Sequence, residues 1–191
     1  MKNPNYLILI NPDNRLPDGF ENTIQLITAQ NSMGEEFLIE QKTYAAFLRL
    51  REDLLKNDGV QTELISVYRS VDDQIKTVED CLVKLGAEYT KKYVAIPGHS
   101  EHHTGFAIDV GIVLEGKLLN TSLELFPLDH IYRVIHKKLP EYGFILRYPK
   151  EKEEITTIGY EPWHFRYIDD PEIAKEIAEQ GISFEEYCRK A

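Results

Sequence analysis

Several features that would assign a protein to a familiar class are missing from this sequence. It has only two cysteines in 191 residues, Cys81 and Cys188, and no Cys-x-x-Cys pair, so neither a zinc knuckle nor a disulfide framework is indicated. Basic residues are not in excess, since 22 Lys and Arg stand against 32 Asp and Glu and give a formal net charge of −10. Because a negative field repels nucleic acid and anionic membrane surfaces, neither is predicted as a partner.

Long hydrophobic runs are missing as well. Near the N-terminus the apolar run YLILI is too short for the apolar region of a signal peptide. No later segment is long enough to span a membrane. The chain as written is therefore predicted to be cytoplasmic, unless an N-terminal leader or anchor has been removed. Repeats, low-complexity tracts and linkers are absent too, so we expect residues 1–191 to form a single domain.

What is present is an irregular succession of strand and helix patterns. Short segments rich in apolar and β-branched residues predict strands at 7–11, 36–40, 62–70, 106–114, 143–148 and 163–168, with clear alternation in 62–70 and 106–110. Helical periodicity and capping residues predict helices at 44–59, 71–85, 129–139 and 171–180, and a short one after Ser183. In the second of these helices, apolar residues recur at 4, 3, 4, 3 spacing: Val71, Ile75, Val78, Leu82 and Leu85. This order favours an α+β fold with a small antiparallel sheet flanked by helices.

The segment GHSEHHTGFAIDVG holds three of the chain's six histidines, His99, His102 and His103, within five residues. The FAIDV that follows alternates at strand spacing, so Asp109 is expected on the pleat face opposite the large apolar side chains. Because a carboxylate held near a core is costly without a counter-ion or a metal, Asp109 predicts a cationic group nearby. The segment by itself is compatible with half of a metal site or with a hydrogen-bonded His–Asp structural pair.

A second segment, GYEPWHFRYI, places Glu161 three residues before His164. With His102 and Asp109 it completes a set of two imidazoles and one carboxylate, which suits a catalytic zinc that keeps a fourth position open for water. Attack by that water needs a base, and Glu161 fits this role. Arg69, in SVYRS, is a candidate for stabilising the negative charge of the transition state, the alternative being a surface salt bridge.

Four segments together carry a resemblance to a known family: SVYRS followed by Gln74, PGHSEHHTGFAIDVG, YGFILRYP and YEPWHFRY. They resemble the zinc D-alanyl-D-alanine peptidases of the vancomycin-resistance type, the VanY carboxypeptidases and the bifunctional VanXY enzymes. The resemblance implies the fold that these enzymes share with the Hedgehog signalling domain. It also implies one zinc ion per chain, bound by His102, Asp109 and His164, with Glu161 as the catalytic base.

The same resemblance implies roles on the substrate side of the site. Arg69 would stabilise the transition state, and Ser100, Gln74 and Ser66 would lie around the substrate. The substrate implied is a peptide or peptidoglycan precursor that ends in D-Ala-D-Ala.

Two positions depart from the family pattern. The motif histidine is matched by His102, so His103 and His99 are neighbours rather than ligands, and His103 stands where related sequences often have another polar residue. Val67 stands where a Gly is usual, and this larger side chain bears on the approach to Arg69.

The implied activity is that of a zinc-dependent D-Ala-D-Ala carboxypeptidase, which hydrolyses the terminal D-Ala of peptidoglycan precursors. The same motifs serve a D-Ala-D-Ala dipeptidase or a bifunctional enzyme, so these alternatives stay open, as do an L,D-carboxypeptidase and a non-catalytic zinc-binding module. The presence of both Glu161 and Arg69 counts against the non-catalytic module. A dipeptidase needs an anion near the free ammonium of its substrate and a closed cavity, whereas a carboxypeptidase needs an open cleft.

Overall fold

A computed structural model describes residues 4–190 of the chain, and within that range the strands form two antiparallel sheets. The strands are β1 (Leu26–Gln30), β2 (Glu36–Glu40), β3 (Thr62–Ser66), β4 (Ala107–Leu114), β5 (Lys117–Leu119), β6 (Phe144–Leu146) and β7 (His164–Tyr167). Strands β1 and β2 pair as a separate hairpin, and the larger sheet has the order β3-β4-β7-β6, with β5 also paired to β4. The small antiparallel sheet expected from the sequence is confirmed.

Residues 4–190 form eight α-helices, of which five were predicted, and the first of those begins at Gln41, before the predicted start at Tyr44. The eight are α1 (Gln41–Asp53), α2 (Val71–Leu85), α3 (Ala87–Tyr93), α4 (Ser122–Leu125), α5 (Asp129–Lys138), α6 (Glu153–Thr156), α7 (Pro171–Gln180) and α8 (Phe184–Lys190). Ser70 and Asp170 accept hydrogen bonds from the first turns of α2 and α7. Ser183 and Glu186 form the predicted capping box of α8, because each side chain accepts a hydrogen bond from the other's backbone N–H.

Strand β4 separates the core from the site. Its apolar residues on one face, with the preceding Phe106, belong to the main buried cluster: Phe106, Ile108, Val110 and Ile112. On the other face, Asp109 lies opposite His164 of β7 and opposite Ser66 of β3. The pairing of Ser66 depends on a bulge, because the register shifts by one residue between Leu64 and Ser66.

The close approach of β3 and β5 to β4 requires a glycine at position 111. A Cβ atom there would lie 2.7 Å from Cγ2 of Ile65 and 2.7 Å from the carbonyl oxygen of Leu119. Both distances are shorter than van der Waals contact, and one of the two atoms is backbone, which cannot move aside without disturbing the sheet. Gly111 therefore lets the bulged strand pack tightly two residues beyond Asp109.

The apolar segment LILIN is not a strand, contrary to the prediction. Of its five residues, all of which the structure describes, only Asn11 takes part in a β-bridge. The backbone carbonyls of Tyr6 and Ile8 instead accept hydrogen bonds from Nη2 of the buried Arg166, at 2.9 and 2.8 Å. A side chain thus satisfies carbonyls that a neighbouring strand would otherwise have paired.

The predicted strand at 62–70 is too long, because β3 ends at Ser66. Beyond it, the N–H of Tyr68 donates to the carbonyl of Leu38, and the N–H of Arg69 donates to the carbonyl of His102. These contacts turn the chain away from the sheet and towards the histidine segment. Strands β1 and β5 and helices α3, α4 and α6 were not predicted.

Helix α2 has the predicted apolar pattern, but that face is not covered. Val71, Ile75, Leu82 and Leu85 are 38–45% exposed, and the buried residue of the helix is Gln74. Periodicity shows which side of a helix is apolar, whereas its burial depends on which element packs there. Among residues 4–190, no helix has both the length and the apolar character needed to cross a membrane.

Candidate active site

A cleft of about 240 Å³ contains all eight residues that the sequence singled out for the site. They are Ser66, Arg69, Gln74, Ser100, His102, Asp109, Glu161 and His164. Five separate segments contribute to this set, from β3 through to β7. The residues were chosen by motif, so their convergence on one cleft comes from the fold alone.

The two histidines and the aspartate meet at one point. Nε2 of His102 lies 3.2 Å from Oδ2 of Asp109, and Nδ1 of His164 lies 2.8 Å from Oδ1 of the same carboxylate. One ligand atom from each of the three residues lies within 4.8 Å of the others. Two imidazole nitrogens and a carboxylate oxygen are a donor set that zinc prefers. The chemistry of this set fits a catalytic zinc ion.

Local structure explains why these three residues converge. His102 lies on a 3₁₀ turn, Glu101–Thr104, that ends at Gly105 with a φ of 72°. This left-handed conformation suits glycine, and a Cβ atom there would lie 3.2 Å from side-chain atoms of Glu40 and of Leu26. The chain then enters β4, so His102 and Asp109 come from a turn and from the strand that follows it. The register of β4 and β7 brings His164 opposite Asp109.

Glu161 lies beside this point and is itself almost enclosed. Its Oε2 atom lies 3.8 Å from Nδ1 of His164, and its side chain is 10% exposed. Burial raises the pKa of Glu161 to about 8, against the lowering influence of His164. A divalent cation beside it would lower that value. A carboxyl group whose pKa lies near the working pH can both take up and release a proton, as a general base requires.

Arg69 faces the same cleft, and its backbone is fixed on both sides. Its N–H donates to the carbonyl of His102 at 3.2 Å, and its carbonyl accepts a hydrogen bond from Nδ1 of His103 at 2.7 Å. Nη2 of Arg69 lies 3.9 Å from Oδ2 of Asp109. Its Nε atom is buried without a hydrogen-bond partner among residues 4–190. The backbone of Arg69 is therefore fixed beside the cleft, and its guanidinium has a donor unused.

The sequence and the solved structures of other proteins place this site in a known family. The family model described as VanY, D-alanyl-D-alanine carboxypeptidase, matches residues 36–170, which is more than half of the chain. This chain belongs to the VanY family. The bifunctional D-Ala-D-Ala dipeptidase and D-Ala-D-Ala carboxypeptidase VanXYC of Enterococcus gallinarum is 39% identical over 138 residues, which cover 71% of this chain and 72% of that protein.

Solved structures agree with this assignment. A mutant of the vancomycin resistance D,D-pentapeptidase VanY from a VanB-type cassette, in complex with Zn(II), matches with a TM-score of 0.77 and 30% identity, over 96% of this chain and 98% of that one. The LD-carboxypeptidase LdcB matches with a TM-score of 0.76 and 33% identity, over 98% of this chain and 87% of that one. The expected fold, the enzyme class and the zinc cofactor are thereby confirmed: the chain is a zinc metallopeptidase of the VanY family.

The three residues predicted around the substrate all line the cleft of this VanY-family chain, although their roles stay predictions. Nε2 of Gln74 donates to the carbonyl of Ala95 at 2.7 Å, while its Oε1 is buried without a hydrogen-bond partner among the described residues. Ser100 is 3% exposed, directly before the 3₁₀ turn of His102. Ser66 lies opposite Asp109 in the sheet.

The two residues that depart from the VanY pattern both make backbone hydrogen bonds next to the site. Both ring nitrogens of His103 are occupied, since Nδ1 donates to the carbonyl of Arg69 and Nε2 accepts from the N–H of Gly98 at 3.1 Å. Val67 is 2% exposed and belongs to the main apolar cluster. Its carbonyl accepts a hydrogen bond from Nδ1 of His102 at 2.6 Å, which leaves Nε2 of that ring available as a ligand.

Sequence reasoning missed several residues that line or adjoin the VanY-family site. The ring of Tyr148 lies 4.8 Å from that of His164, and Tyr89 and Trp163 form part of the walls. Tyr148 belongs to the motif YGFILRYP, so its place in that motif could have indicated a residue of the site. Tyr89 lies outside the quoted motifs, where an aromatic residue is usually part of the core. Glu101, between two predicted site residues, is 1% exposed. Its neighbours in sequence did not indicate that an acid would be buried there.

Proposed function

We propose that this chain is a zinc-dependent D-Ala-D-Ala carboxypeptidase that removes the terminal D-Ala from peptides ending in D-Ala-D-Ala, such as peptidoglycan precursors. The observation that supports this reading is the charge of the cleft. Among its described lining residues the acids are Asp109 and Glu161, which belong to the reacting centre, and the remaining walls are neutral apart from Arg69 and the histidines.

This charge distribution favours a carboxypeptidase over a dipeptidase. A free dipeptide carries an ammonium group one residue away from the bond that is cleaved, and burying that charge unpaired is costly. The walls around the cleft instead offer hydroxyl, amide and aromatic groups from Tyr89, Tyr93, Asn120, Ser122 and Trp163. Such groups suit an uncharged peptide that continues outwards, as the upstream part of a longer substrate does.

The proposed roles follow the geometry of the site. His102, Asp109 and His164 hold zinc, which when bound supplies a Lewis acid that polarises the scissile carbonyl and activates a water molecule. Glu161 takes the proton of the attacking water and passes it to the leaving amine as the C–N bond breaks. Arg69 stabilises the negative charge that develops on the carbonyl oxygen.

Ser100, Gln74 and Ser66 are proposed to bind the substrate around this centre. The unused Oε1 of Gln74 and the hydroxyl groups of the two serines are neutral hydrogen-bonding groups on the cleft wall. These three side chains provide hydrogen-bonding partners for the terminal D-alanine.

Further parts of the proposal concern the whole chain. We take residues 1–191 as one zinc D,D-peptidase domain, with a soluble cytoplasmic precursor as substrate. Nucleic acid is excluded as a partner in this proposal by the formal net charge of −10.

The test is a comparison of three substrates with the zinc-loaded protein. They are the dipeptide D-Ala-D-Ala, a pentapeptide ending in L-Lys-D-Ala-D-Ala, and a tetrapeptide ending in L-Lys-D-Ala, with released D-Ala as the readout. We expect release of one D-Ala from the pentapeptide and little from the other two. Faster cleavage of the dipeptide would establish a dipeptidase, and preference for the tetrapeptide would establish an L,D-carboxypeptidase. The Glu161→Gln variant, purified in the same way, controls for contaminating peptidases.

A further inference from the structure

Behind the site, two buried polar atoms face each other without hydrogen-bond partners among residues 4–190. They are Nε2 of His164 and Oε2 of Glu101, which lie 4.0 Å apart. The side chain of His164 is 4% exposed and that of Glu101 is fully buried. Buried polar atoms without partners are rare in folded proteins, and each one calls for an explanation.

The chemistry of an imidazole ligand supplies that explanation. His164 turns Nδ1 towards Asp109, at the point where the three ligand atoms meet, so Nδ1 is its metal-binding atom. A neutral ring that binds through the lone pair of Nδ1 must carry its proton on Nε2. An N–H group in a buried position needs an acceptor, and Oε2 of Glu101 is the unused acceptor that faces it.

We propose that Glu101 is the positioning residue of His164: its carboxylate accepts the Nε2 proton and so holds the ring in the tautomer whose Nδ1 is free to bind zinc. This inference rests on the zinc site of the proposed function and not on the identity of the substrate. Histidines that bind metals commonly donate their second N–H to a carboxylate or a backbone carbonyl. A shift of about 1 Å in either side chain brings the two atoms within hydrogen-bonding distance.

Glu101 is itself held in position by two arginines. Its Oε1 atom lies 2.8 Å from Nε of Arg147 and 2.8 Å from Nη1 of Arg166, which leaves Oε2 for the histidine. The guanidinium of Arg147 also makes two hydrogen bonds to Glu185 of α8, at 2.9 and 2.6 Å. The two guanidinium groups supply the counter-charges that a buried carboxylate needs. The buried group of two acids and two bases thus keeps Glu101 charged.

The two zinc-binding histidines therefore have different supports. Nδ1 of His102 donates to the carbonyl of Val67, so that ring offers Nε2 to the metal. His164 offers Nδ1, and its partner is a side chain. The carbonyl of Val67 cannot be removed by substitution, whereas the side chain of Glu101 can. Glu101 is therefore the histidine partner that mutation can test directly.

The test compares two isosteric substitutions in the same buried cluster. Glu101→Gln and Glu185→Gln each remove one negative charge next to Arg147, and both residues are 1% exposed. Only Glu101 faces His164. A purely structural role for the cluster would make the two variants behave alike, whereas a positioning role separates them in metal binding.

Three properties of each variant are measured. Zinc affinity comes from competition with a chromophoric chelator. The visible spectrum of the cobalt-substituted protein reports the metal's ligands, and denaturant unfolding of the metal-free protein reports stability. We expect Glu101→Gln to weaken zinc binding by about 10- to 100-fold and to change the cobalt spectrum. Glu185→Gln should lower the unfolding midpoint yet keep zinc affinity within about twofold, because Glu185 contacts Arg147 and not Nε2 of His164. Equal zinc affinity in the two variants would overturn the inference.

A measurement on the unmodified protein covers the case in which Glu101→Gln does not fold. In zinc-loaded protein labelled with ¹⁵N-histidine, long-range ¹H–¹⁵N correlation spectra report which ring nitrogen carries the proton. We expect His164 to be protonated on Nε2, with that proton exchanging far more slowly than the ring protons of the exposed His130. An unprotonated Nε2, or exchange as fast as that of His130, would contradict the inference. Failure of the wild-type protein to bind zinc would instead remove the proposed function as well.

Discussion

Replacing Arg69 tests whether its guanidinium acts on the transition state or merely binds the substrate. The substitution is well defined structurally, because the backbone of Arg69 is held by its hydrogen bonds to His102 and His103 and should stay in place. The side chain is 21% exposed, and its Nη2 atom lies 3.9 Å from Asp109. Arg69→Ala removes the donors from the cleft, and Arg69→Lys replaces a planar fork by a single ammonium group.

The size of the effect follows from the position of the Arg69 donors in the cleft. Loss of one such donor to a developing oxyanion costs on the order of 3 kcal/mol, which corresponds to a rate reduction of about 100- to 200-fold. Because Nε of Arg69 is buried without a partner among the described residues and Nη2 lies 3.9 Å from Asp109, little of its donor capacity is spent elsewhere. Lys should recover only part of the rate, since it lacks the fork geometry.

The assay is steady-state hydrolysis of the D-Ala-D-Ala-ending pentapeptide by the zinc-loaded variants. If Arg69 stabilises the transition state, kcat and kcat/KM should fall by similar factors in the alanine variant, with zinc content unchanged. Arg133→Lys serves as the control, because Arg133 is 69% exposed and pairs only with Asp129 among the ion pairs of the described residues. A raised KM with unchanged kcat in Arg69→Ala would refute the assigned role and leave Arg69 as a substrate-binding residue.

Four other perturbations have defined outcomes. Glu161→Gln should keep zinc and lower turnover by about 100-fold or more, and near-normal turnover would place proton transfer on another group. His102→Ala should lose most of its zinc while His103→Ala retains it; equal losses would contradict the ligand assignment. Gly111→Ala should destabilise the fold by about 1–3 kcal/mol in denaturant unfolding, because its Cβ meets backbone, and an unchanged midpoint would disprove the close contact. Burial lowers the pKa of His136, so the unfolded state takes up its proton first as pH falls below about 6.5. The unfolding free energy of wild type should therefore decline more between pH 7.5 and 5.5 than that of His136→Gln; parallel declines would refute this.

The candidate site was predictable from sequence to an unusual degree because its chemistry is concentrated in short segments. His102 and Asp109 are separated by one tight turn, and Glu161 and His164 by two residues, so together their residue types suit a zinc site. The choice of His102 among three neighbouring histidines came from the resemblance to the VanY enzymes. The helix caps at Ser70 and Asp170 were predictable for the same reason, since a cap contacts the backbone two or three residues away.

Errors arose where a segment's partner is distant in the chain. LILIN is a short apolar run typical of a strand. The backbone carbonyls of Tyr6 and Ile8 nevertheless accept hydrogen bonds from Arg166, which lies 160 and 158 residues later in the chain. Helix α2 has a regular apolar stripe, yet the stripe stays partly exposed. The pattern within a helix shows which face is apolar but not which element packs against that face.

The sequence by itself determined the residue types of the site, the α+β class and the ends of α2, α5 and α7, since each depends on interactions within a few residues. The tertiary structure alone decided which of those residues meet. Asp109 and His164 are 55 residues apart and come together through the register of β4 and β7, and Ser66 joins them through a bulge in β3. The placement of Glu101 behind His164 depends likewise on two arginines from β7 and from the end of β6. Strand pairing and buried ion pairs join residues that are distant in the chain, so no single segment indicates which partner a residue meets.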